Sequence, residues 1–399
     1  MATKKTIEIV KSTAPVLEKH GEDITKVFYR LLFKNQPELK SLFNMTHQKQ
    51  GTQPKVLANA IFQYAVHIDK LEALGGAVES IAQKHTSLSI TPEMYPIVGE
   101  NLLKAIQEVL GEAATTDIMN AWAEAYSDLA AIFIKREEHI YSEREQKNGG
   151  FRNQKEFVIT KKVAESNVIT SFYLKPKDDS PTPEFIPGQY IALSLEIPNS
   201  PHKHTRNYSL SDAYNMDYLR ISVKKEEGNP KGIVSNYLHN HIKEGDSLNL
   251  GMPSGEFVLK NFNTPIVLIA GGVGITPLMS MYKSALHSHR KITFIQCALN
   301  SGTHAFKHEI AKNANSKTTR FTVYNNPLTT DKLGDNYDFN GYLSTEMLKC
   351  MEINTDSEFY FCGPKPFMAN TLSILRELNI AEENINYEFF GPTEELEKV

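Results

Sequence analysis

The stretch Val78-Glu79-Ser80-Ile81-Ala82-Gln83-Lys84-His85-Thr86-Ser87 carries the histidine around which the first third of the chain is built. Read as a helix, it places three apolar residues and one histidine on a single face: Val78, Ile81, Ala82 and His85. The imidazole therefore points the same way as the apolar residues, and neutral imidazole is a good ligand for haem iron. A core histidine hydrogen-bonded to a neighbour gives the same pattern, and for a lone histidine it is the commoner case. Other parts of the sequence are needed to distinguish a haem ligand from a core histidine.

The composition is that of a folded protein with two or three domains. The chain has 399 residues, of which 41% are hydrophobic and 23% charged, so it can build real cores. A net charge of -4 argues against a nucleic-acid partner. Its longest apolar runs, such as Ile266 to Ile275, are too short to span a bilayer, and the N-terminus lacks an apolar signal core. Three scattered cysteines imply no disulfide framework. We expect a cytoplasmic monomer.

Helical periodicity runs from Thr6 to about Ser142. Apolar residues recur there at helical spacing, in stripes such as Ile24, Val27, Phe28, Leu31 and Leu32. Glycine and proline separate the stripes, and no alternating β-branched run interrupts them. We therefore predict an all-α domain at residues 1–147, with about six to eight helices.

A period of two replaces the helical period after Asn148-Gly149-Gly150. Short, turn-separated strands are predicted at Phe157-Val158-Ile159, Ile169 to Leu174, Tyr190 to Leu195 and Leu219 to Val223. One helix, Ile233 to His241, interrupts them. This pattern predicts a small antiparallel β-barrel at residues 151–262.

Strands and helices alternate from Pro265 onward. A buried strand, Ile266 to Ala270, is followed by a glycine loop, a helix from Pro277 to Ala285 and a second strand from Ile292 to Cys297. The further units are Arg320 to Tyr324, Ser344 to Met351, Phe359 to Cys362 and Pro366 to Leu378. Residues 263–399 are therefore predicted to form a doubly wound α/β domain.

Three features of the helical part stand in a characteristic order. Phe43 follows the helix that ends near Pro37, Gln53-Pro54 opens the next helix, and His85 comes later. This order resembles the globin family, in which a phenylalanine at this corner packs on the haem and a histidine binds the iron. By this resemblance Gln53 stands at the distal position, where we find no histidine. With Tyr29 one helix earlier, the set resembles bacterial flavohaemoglobins rather than oxygen-storage globins. Taken singly, Phe43 and Tyr29 could be ordinary core aromatics.

The string Arg206-Asn207-Tyr208-Ser209, preceded by Pro187-Gly188-Gln189-Tyr190, resembles the flavin site of the ferredoxin-reductase family. An arginine can hold a pyrophosphate, a tyrosine ring can lie on the isoalloxazine, and a serine hydroxyl can bond the ring edge. Gly232-Ile233-Val234-Ser235 opens a helix whose backbone N–H groups suit a phosphate. The resemblance implies an FAD site made by Tyr190, Arg206, Asn207, Tyr208, Ser209, Gly232 and Ser235.

A glycine loop, Gly271-Gly272-Val273-Gly274-Ile275-Thr276-Pro277, follows a strand and opens a helix, as dinucleotide loops do. It ends in proline, as in the ferredoxin-reductase family; alone, it could be a tight turn without a ligand. Cys362-Gly363-Pro364 ends a later strand on the same sheet edge, where nicotinamide would lie. Asn300-Ser301-Gly302-Thr303-His304 carries no arginine for a 2′-phosphate, which favours NADH over NADPH. The segment Tyr387-Glu388-Phe389-Phe390-Gly391-Pro392 resembles the one that covers the flavin.

The flavohaemoglobin resemblance spans essentially the whole chain and implies a role for each pocket residue. His85 is the proximal ligand, and Tyr95 and Glu137 hydrogen-bond it and make it more electron-donating. The resemblance also implies that Tyr29 and Gln53 hydrogen-bond dioxygen at the haem and that Leu57 restricts access to the haem. It places Lys84 and Glu388 at the haem–flavin junction. By itself, Glu137 in the run Lys135 to Glu138 fits a solvated helix charge better, and Lys84 and Glu388 fit surface charges better.

This resemblance implies a nitric oxide dioxygenase that converts nitric oxide and dioxygen to nitrate and so detoxifies nitric oxide. Its cofactors are haem b with iron, FAD and NAD(P)H, through which electrons reach the iron. A haem sensor or oxygen carrier is disfavoured because neither needs a flavin reductase. A general NAD(P)H reductase acting on flavins, ferric chelates or hydroperoxides stays open, because its reductase half would look the same. Consumption of nitric oxide separates these functions.

Overall fold

The computed structural model describes residues 2–43, 45, 48, 51–260 and 263–391, in three consecutive units. The helical unit has six α-helices in its described residues: α1 Lys4–Ser12, α2 Ala14–Asn35, α3 Thr52–His67, α4 Gly75–Ser87, α5 Met94–Leu110 and α6 Thr116–Glu145. Short 3-10 segments lie at Pro37–Leu42, Leu71–Leu74 and Gly111–Ala113. The predicted all-α domain is confirmed.

Local signals explain where these helices begin. The side chain of Thr3 accepts a hydrogen bond from the Thr6 N–H at the start of α1, and Thr115 does the same for Ile118 at the start of α6. Proline in the first turn begins α2, as its fixed φ allows. The apolar stripes then face one another in a core that includes Val10, Leu17, Ile24, Phe28, Leu32 and Trp122.

The second unit is an antiparallel barrel of six strands: β1 Gln154–Ala164, β2 Ile169–Pro176, β3 Tyr190–Leu195, β4 His204–Ser209, β5 Leu219–Lys224 and β6 Ser247–Gly251. The strand order is β4-β3-β6-β1-β2-β5, and a bridge between Leu210 and Ile221 joins the two edges. This bridge brings the sheet round into a barrel. The predicted helix is α7, Ile233–Asn240, one residue shorter than expected.

Strand β1 is much longer than the predicted Phe157-Val158-Ile159. Its second half passes through Lys161 and Lys162, where the alternation of apolar and polar residues is lost. A register shift between Ile159 and Lys161 marks a bulge, after which the strand still pairs with β2. Pairing with neighbours, rather than the local pattern, therefore extends this strand.

The third unit is a parallel sheet of six strands: β7 Ile266–Gly271, β8 Ile292–Ala298, β9 Thr318–Tyr324, β10 Phe339–Asn340, β11 Glu358–Cys362 and β12 Ile385–Glu388. Its helices are α8 Ile275–Ala285, α9 Lys307–Asn313, α10 Thr345–Cys350 and α11 Lys365–Glu377. Neighbours in the sheet follow the order β10-β9-β8-β7-β11-β12. Strands β8 to β10 therefore lie on one side of β7, and β11 and β12 lie on the other. This is the switch point of a doubly wound fold, as predicted.

Alternate residues of β7 serve cores on opposite faces of that sheet. Leu268 packs in one cluster with Leu278 and Phe294, whereas Val267 and Ile269 pack in the other. A strand buried on both faces reads as a continuous apolar run, which explains why β7 was easy to predict. No helix among the described residues is long and apolar enough to cross a lipid bilayer.

Candidate functional site

The His85 imidazole lies in the last turn of α4 and is held by two side chains. Its Nδ1 is 2.8 Å from Glu137 Oε1 and 3.1 Å from Tyr95 Oη, and Tyr95 donates to the same carboxylate oxygen at 2.5 Å. A carboxylate partner assigns the proton to Nδ1, so Nε2 keeps its lone pair. The structure thus brings the three predicted proximal residues together.

The burial of this group separates the competing interpretations. The Glu137 side chain is 4% exposed, so the carboxylate is not a solvated helix charge. The His85 side chain is 33% exposed, so the imidazole is not sealed inside the core either. Within the described ranges, no cluster of three or more His, Cys, Asp or Glu could hold a bare metal ion. In haem the porphyrin supplies most of the iron ligands, so a single histidine such as His85 fits that group.

Arg144, which the sequence analysis missed, ties the same two helices together. It lies seven residues after Glu137 on α6, on the same face, and donates to Thr86 Oγ1 at 2.8 Å and to Gln83 Oε1 at 2.6 Å. Burial lowers the pKa of Arg144 to about 10, and it remains charged at neutral pH. The seven-residue spacing from Glu137 was the available signal.

Tyr29 on α2 is buried, and its hydroxyl is hydrogen-bonded to the side-chain amides of Gln53 and Gln48. Burial raises the pKa of Tyr29 to about 12, so the hydroxyl keeps its proton. The Phe43 ring contacts the Tyr29 ring edge-on at 5.6 Å. Gln48 was not predicted, and its side-chain amide lies beside the Tyr29 hydroxyl together with that of Gln53.

The surroundings of Tyr29 and of His85 meet inside the helical unit. Tyr29 and Leu57 belong to one apolar cluster, Tyr95 belongs to another, and Tyr126 packs against both. The Tyr126 hydroxyl also donates to the Tyr95 carbonyl at 2.7 Å. The predicted distal and proximal residues therefore belong to adjoining apolar clusters of the helical unit.

Strand pairing assembles the predicted flavin residues. Tyr190 on β3 lies opposite Ser209 on β4, and Arg206 and Tyr208 share one face of β4 while Asn207 is exposed. Burial lowers the pKa of Arg206 and raises that of Tyr208. A half-buried arginine beside a protonated tyrosine suits a flavin with a pyrophosphate.

The start of α7 is tightly built. No side chain caps this helix, which leaves its first N–H groups available to a phosphate. A Cβ on Gly232 would lie 2.5 Å from Ser235 Oγ and 2.8 Å from Glu226 Cβ, so a larger residue here would displace these neighbours. The Ser235 hydroxyl already bonds the backbone of Glu226 and Gly232, and its direct contact with a phosphate stays a prediction.

Lys84 and Glu388 face each other where the three units meet. Burial raises the pKa of Glu388 to about 8, partly offset by the charge of Lys84, and lowers the pKa of Lys84. The Lys84 side chain is partly in contact with solvent, and the protein packed around its ammonium group disfavours the charged form. Glu388 Oε2 is buried with no partner among the described residues. The Tyr190 hydroxyl reaches Ser87, two residues after His85. An orphan carboxylate oxygen here fits a cofactor edge at the junction.

The glycine loop and the Cys362-Gly363 turn touch at the switch point of the parallel sheet. Gly272 has φ +52 and faces open space, whereas a Cβ on Gly274 would overlap the Cys362 carbonyl. Gly271 ends β7, Ile275, Thr276 and Pro277 are buried in the first turn of α8, and the Thr276 hydroxyl bonds the Val273 carbonyl. The 3-10 turn Gly272–Gly274 runs into α8 and has no side-chain cap, so the first N–H groups of this turn suit a pyrophosphate, at the site predicted for NAD(P)H.

The predicted flavin-covering segment forms β12 and the turn after it. Tyr387 and Glu388 belong to β12, and Phe389 packs against the α/β core while Phe390 is 43% exposed. A Cβ on Gly391 would lie 2.5 Å from the Phe389 ring. Pro392 lies outside the described residues.

Comparison with known proteins gives three family models in the same order as the three units. A globin model matches residues 26–133, an oxidoreductase FAD-binding domain matches 156–259, and an oxidoreductase NAD-binding domain matches 268–372. The chain is 48% identical over 404 residues to a flavohemoprotein of Bacillus thuringiensis subsp. konkukian (strain 97-27), covering 100% of both chains.

Two solved structures are similar to it. The flavohemoglobin of Malassezia yamatoensis with bound FAD and heme aligns with a TM-score of 0.83 at 25% identity, covering 98% of this chain and 99% of that one. The flavohem-like FAD/NAD binding domain of the nitric oxide dioxygenase from Vibrio cholerae O1 biovar El Tor aligns at 0.55 and 33% identity, covering 60% of this chain and 100% of that one.

The fold and the site define a class of protein in which a globin is joined, on one chain, to an oxidoreductase with FAD- and NAD-binding domains. The match over the full length of curated relatives then narrows the class: the chain belongs to the flavohemoprotein family.

Proposed function

We propose that the chain is a nitric oxide dioxygenase, which converts nitric oxide and dioxygen to nitrate with electrons from NAD(P)H. The observation that carries this proposal is the hydrogen bond from the His85 imidazole to the buried Glu137 carboxylate. When bound, haem supplies the oxygen chemistry, and FAD divides the electron pair of NAD(P)H into single electrons.

The proximal residues make His85 an electron-rich ligand. Because the Nδ1 proton is shared with a buried carboxylate, the imidazole acquires partial negative charge and Nε2 becomes a stronger donor. The Tyr95 hydroxyl holds the same Glu137 oxygen and so fixes the carboxylate in place. A strongly donating ligand supports oxidative chemistry over reversible oxygen carriage.

The distal residues supply a neutral donor rather than an acid. Burial holds the pKa of Tyr29 at about 12, so its O–H can donate to a small ligand that carries partial negative charge. The Gln53 amide orients that hydroxyl. A donor of this kind retains dioxygen until nitric oxide arrives.

The reductase half supports the electron supply. The flavin motif on β4 and the glycine loop before α8 lie on domains matched by FAD- and NAD-binding models. We infer that NADH is the preferred donor, because the loop after β8 offers no arginine to a 2′-phosphate. The name of the Vibrio cholerae relative, nitric oxide dioxygenase, is consistent with this reading.

Stopped-flow measurement of nitric oxide consumption tests the proposal. Purified protein with haem and FAD should consume nitric oxide rapidly when NADH and dioxygen are both present, and slowly when either is left out. Reduction of ferric chelates or hydroperoxides without nitric oxide consumption would instead identify a general NAD(P)H reductase.

A further inference from the structure

Four charged side chains form a buried network at the seam between the barrel and the parallel sheet. Arg220 on β5 lies 2.8 Å from Glu309 on α9 and 3.6 Å from Asp212, which follows β4. Lys283 on α8 pairs with Glu309 at 2.9 Å and with Asp212. Two positive and two negative charges therefore meet, two from each domain, and balance one another.

Two members of this network are almost fully buried, and the other two are only partly exposed. The Arg220 side chain is 1% exposed and that of Asp212 is 5% exposed, while Lys283 and Glu309 are 22% exposed. Burial works against the charge of Arg220, but the Asp212 and Glu309 carboxylates outweigh it and raise the pKa of Arg220. Removing a partner leaves a buried charge uncompensated, so only the native arrangement of the two domains satisfies all four groups.

Phe306, next to the network, contacts Arg220 and has an unusual backbone conformation. The Arg220 guanidinium lies 5.1 Å from the centroid of the Phe306 ring, a cation–π contact. Phe306 has φ +61, a left-handed conformation that a bulky residue adopts only when its surroundings hold it there. It is also the residue before α9, whose first turn carries Glu309. Phe306 is also buried in the apolar core of the α/β domain, so the ring that contacts Arg220 and the start of α9 are held in place together.

The network connects the two elements that carry the cofactor motifs. Asp212 lies three residues after Ser209, the end of the flavin motif on β4, and Lys283 lies on α8, which begins at the glycine loop. The Lys283–Asp212 ion pair therefore joins the segment just after the flavin strand to the nicotinamide helix. A backbone hydrogen bond from Asn167 N–H to the Gly302 carbonyl, at 2.9 Å, supports the same seam.

We propose that Arg220, Lys283, Asp212 and Glu309 are positioning residues for hydride transfer, because they fix the nicotinamide helix against the flavin strand. This inference rests on the reductase half of the proposed function. In that step a hydride leaves NADH, which is oxidised to NAD⁺, and reduces FAD. The reacting atoms must approach to about 3–3.5 Å, and a shift of about 1 Å can slow such a step about a hundredfold.

The test uses the full-length protein with haem and FAD, and alters the two partly exposed members. Lys283→Met and Glu309→Gln are compared singly and together with wild type, because Arg220→Gln could prevent folding. Glu382→Gln is the matched control, since it breaks the 2.7 Å Arg376–Glu382 pair on the surface of the α/β domain alone. Anaerobic stopped-flow gives the limiting rate of flavin reduction and the dissociation constant for NADH, and hydrogen exchange reports on the seam.

We expect the limiting rate to fall about tenfold in Lys283→Met and Glu309→Gln, with the NADH dissociation constant and the haem and FAD contents unchanged. Hydrogen exchange should quicken at residues 210–216 and at the start of α8, and the double variant should lose less than the product of the single losses. Lys283→Arg should recover most of the rate, and Glu382→Gln should match wild type in every measurement.

Variants that reduce flavin at the wild-type limiting rate would overturn the inference and leave the network a purely structural one. A lower rate that is explained entirely by lost FAD would overturn it as well. A wild-type protein whose bound FAD is not reduced by NADH would instead contradict the proposed function.

Discussion

Replacing Glu137 by glutamine removes a buried carboxylate from the His85 imidazole while almost preserving its shape. The carboxylate is 4% exposed, and its Oε1 lies 2.8 Å from His85 Nδ1 and also accepts from Tyr95. The glutamine carbonyl oxygen has two lone pairs and can still accept from both His85 and Tyr95, so the packing of α6 against α4 should survive. What the variant loses is the negative charge on the acceptor.

The size of the effect follows from the strength of that contact. A hydrogen bond to an ionised acceptor is roughly twice as strong as one to a neutral acceptor, a difference of about 1 kcal/mol. Removing the carboxylate charge makes His85 less electron-donating and mainly destabilises the oxidised form of the iron, because a more electron-donating imidazole stabilises the higher charge. With 59 mV for each factor of ten in a one-electron couple, the haem reduction potential should rise by about 40 mV.

Spectroelectrochemical titration of the purified variants measures this shift, with the FAD potential as an internal control. Tyr95→Phe is the matched variant, because it leaves the Glu137–His85 contact in place, and its potential should rise by less. A haem potential in Glu137→Gln equal to or below that of wild type would refute the reasoning. It would mean that the carboxylate orients the imidazole without changing its electron donation.

Four further outcomes are expected. His85→Ala should lose or misligate haem while keeping FAD and NADH oxidation through the flavin, and an unchanged haem spectrum would remove His85 as the ligand. Arg206→Ala should weaken FAD binding about ten- to a hundredfold, from a lost contact of about 1.5–3 kcal/mol, with full haem content; purification with full flavin would contradict it. Tyr29→Phe should speed oxygen dissociation about tenfold or more with folding intact, as measured by flash photolysis, and an unchanged rate would return Tyr29 to the ordinary core. Burial raises the pKa of Glu388 from 4.5 to about 8, so its contribution to stability is full below pH 4.5 and is lost as the pH rises through about 8. Between these pH values the Tm of Glu388→Gln should therefore fall less than the Tm of wild type, and parallel Tm profiles would contradict the pKa shift.

The parts of the fold that the sequence predicted are those set by local pattern. The apolar stripe of α4, the two-sided apolar run of β7 and the glycine loop before α8 each carry their signal within about ten residues, and each was found. The order of the motifs along the chain then identified the three units. Strand β10, only two residues long, carries no such signal and was missed.

The site is harder, because its decisive contacts join distant residues. The run Lys135-Arg136-Glu137-Glu138 looks like a solvated charge cluster, yet its members face different ways. Arg136 pairs with Glu79 at 2.6 Å and Glu138 with Arg152 at 2.7 Å, near the surface, while Glu137 turns inward to His85. Nothing in the four letters distinguishes them; the packing of α6 against α4 does. The same holds for Arg220 and Glu309, which lie on different domains.

The most direct test of the account is to supply ¹⁸O₂ and nitric oxide to the protein with NADH and analyse the nitrate by mass spectrometry. A nitric oxide dioxygenase places both atoms of one dioxygen molecule in one nitrate, so nearly all of the product should carry two ¹⁸O atoms. Nitrate with one or no ¹⁸O atom, or nitric oxide left unconsumed while NADH is oxidised, would contradict the account.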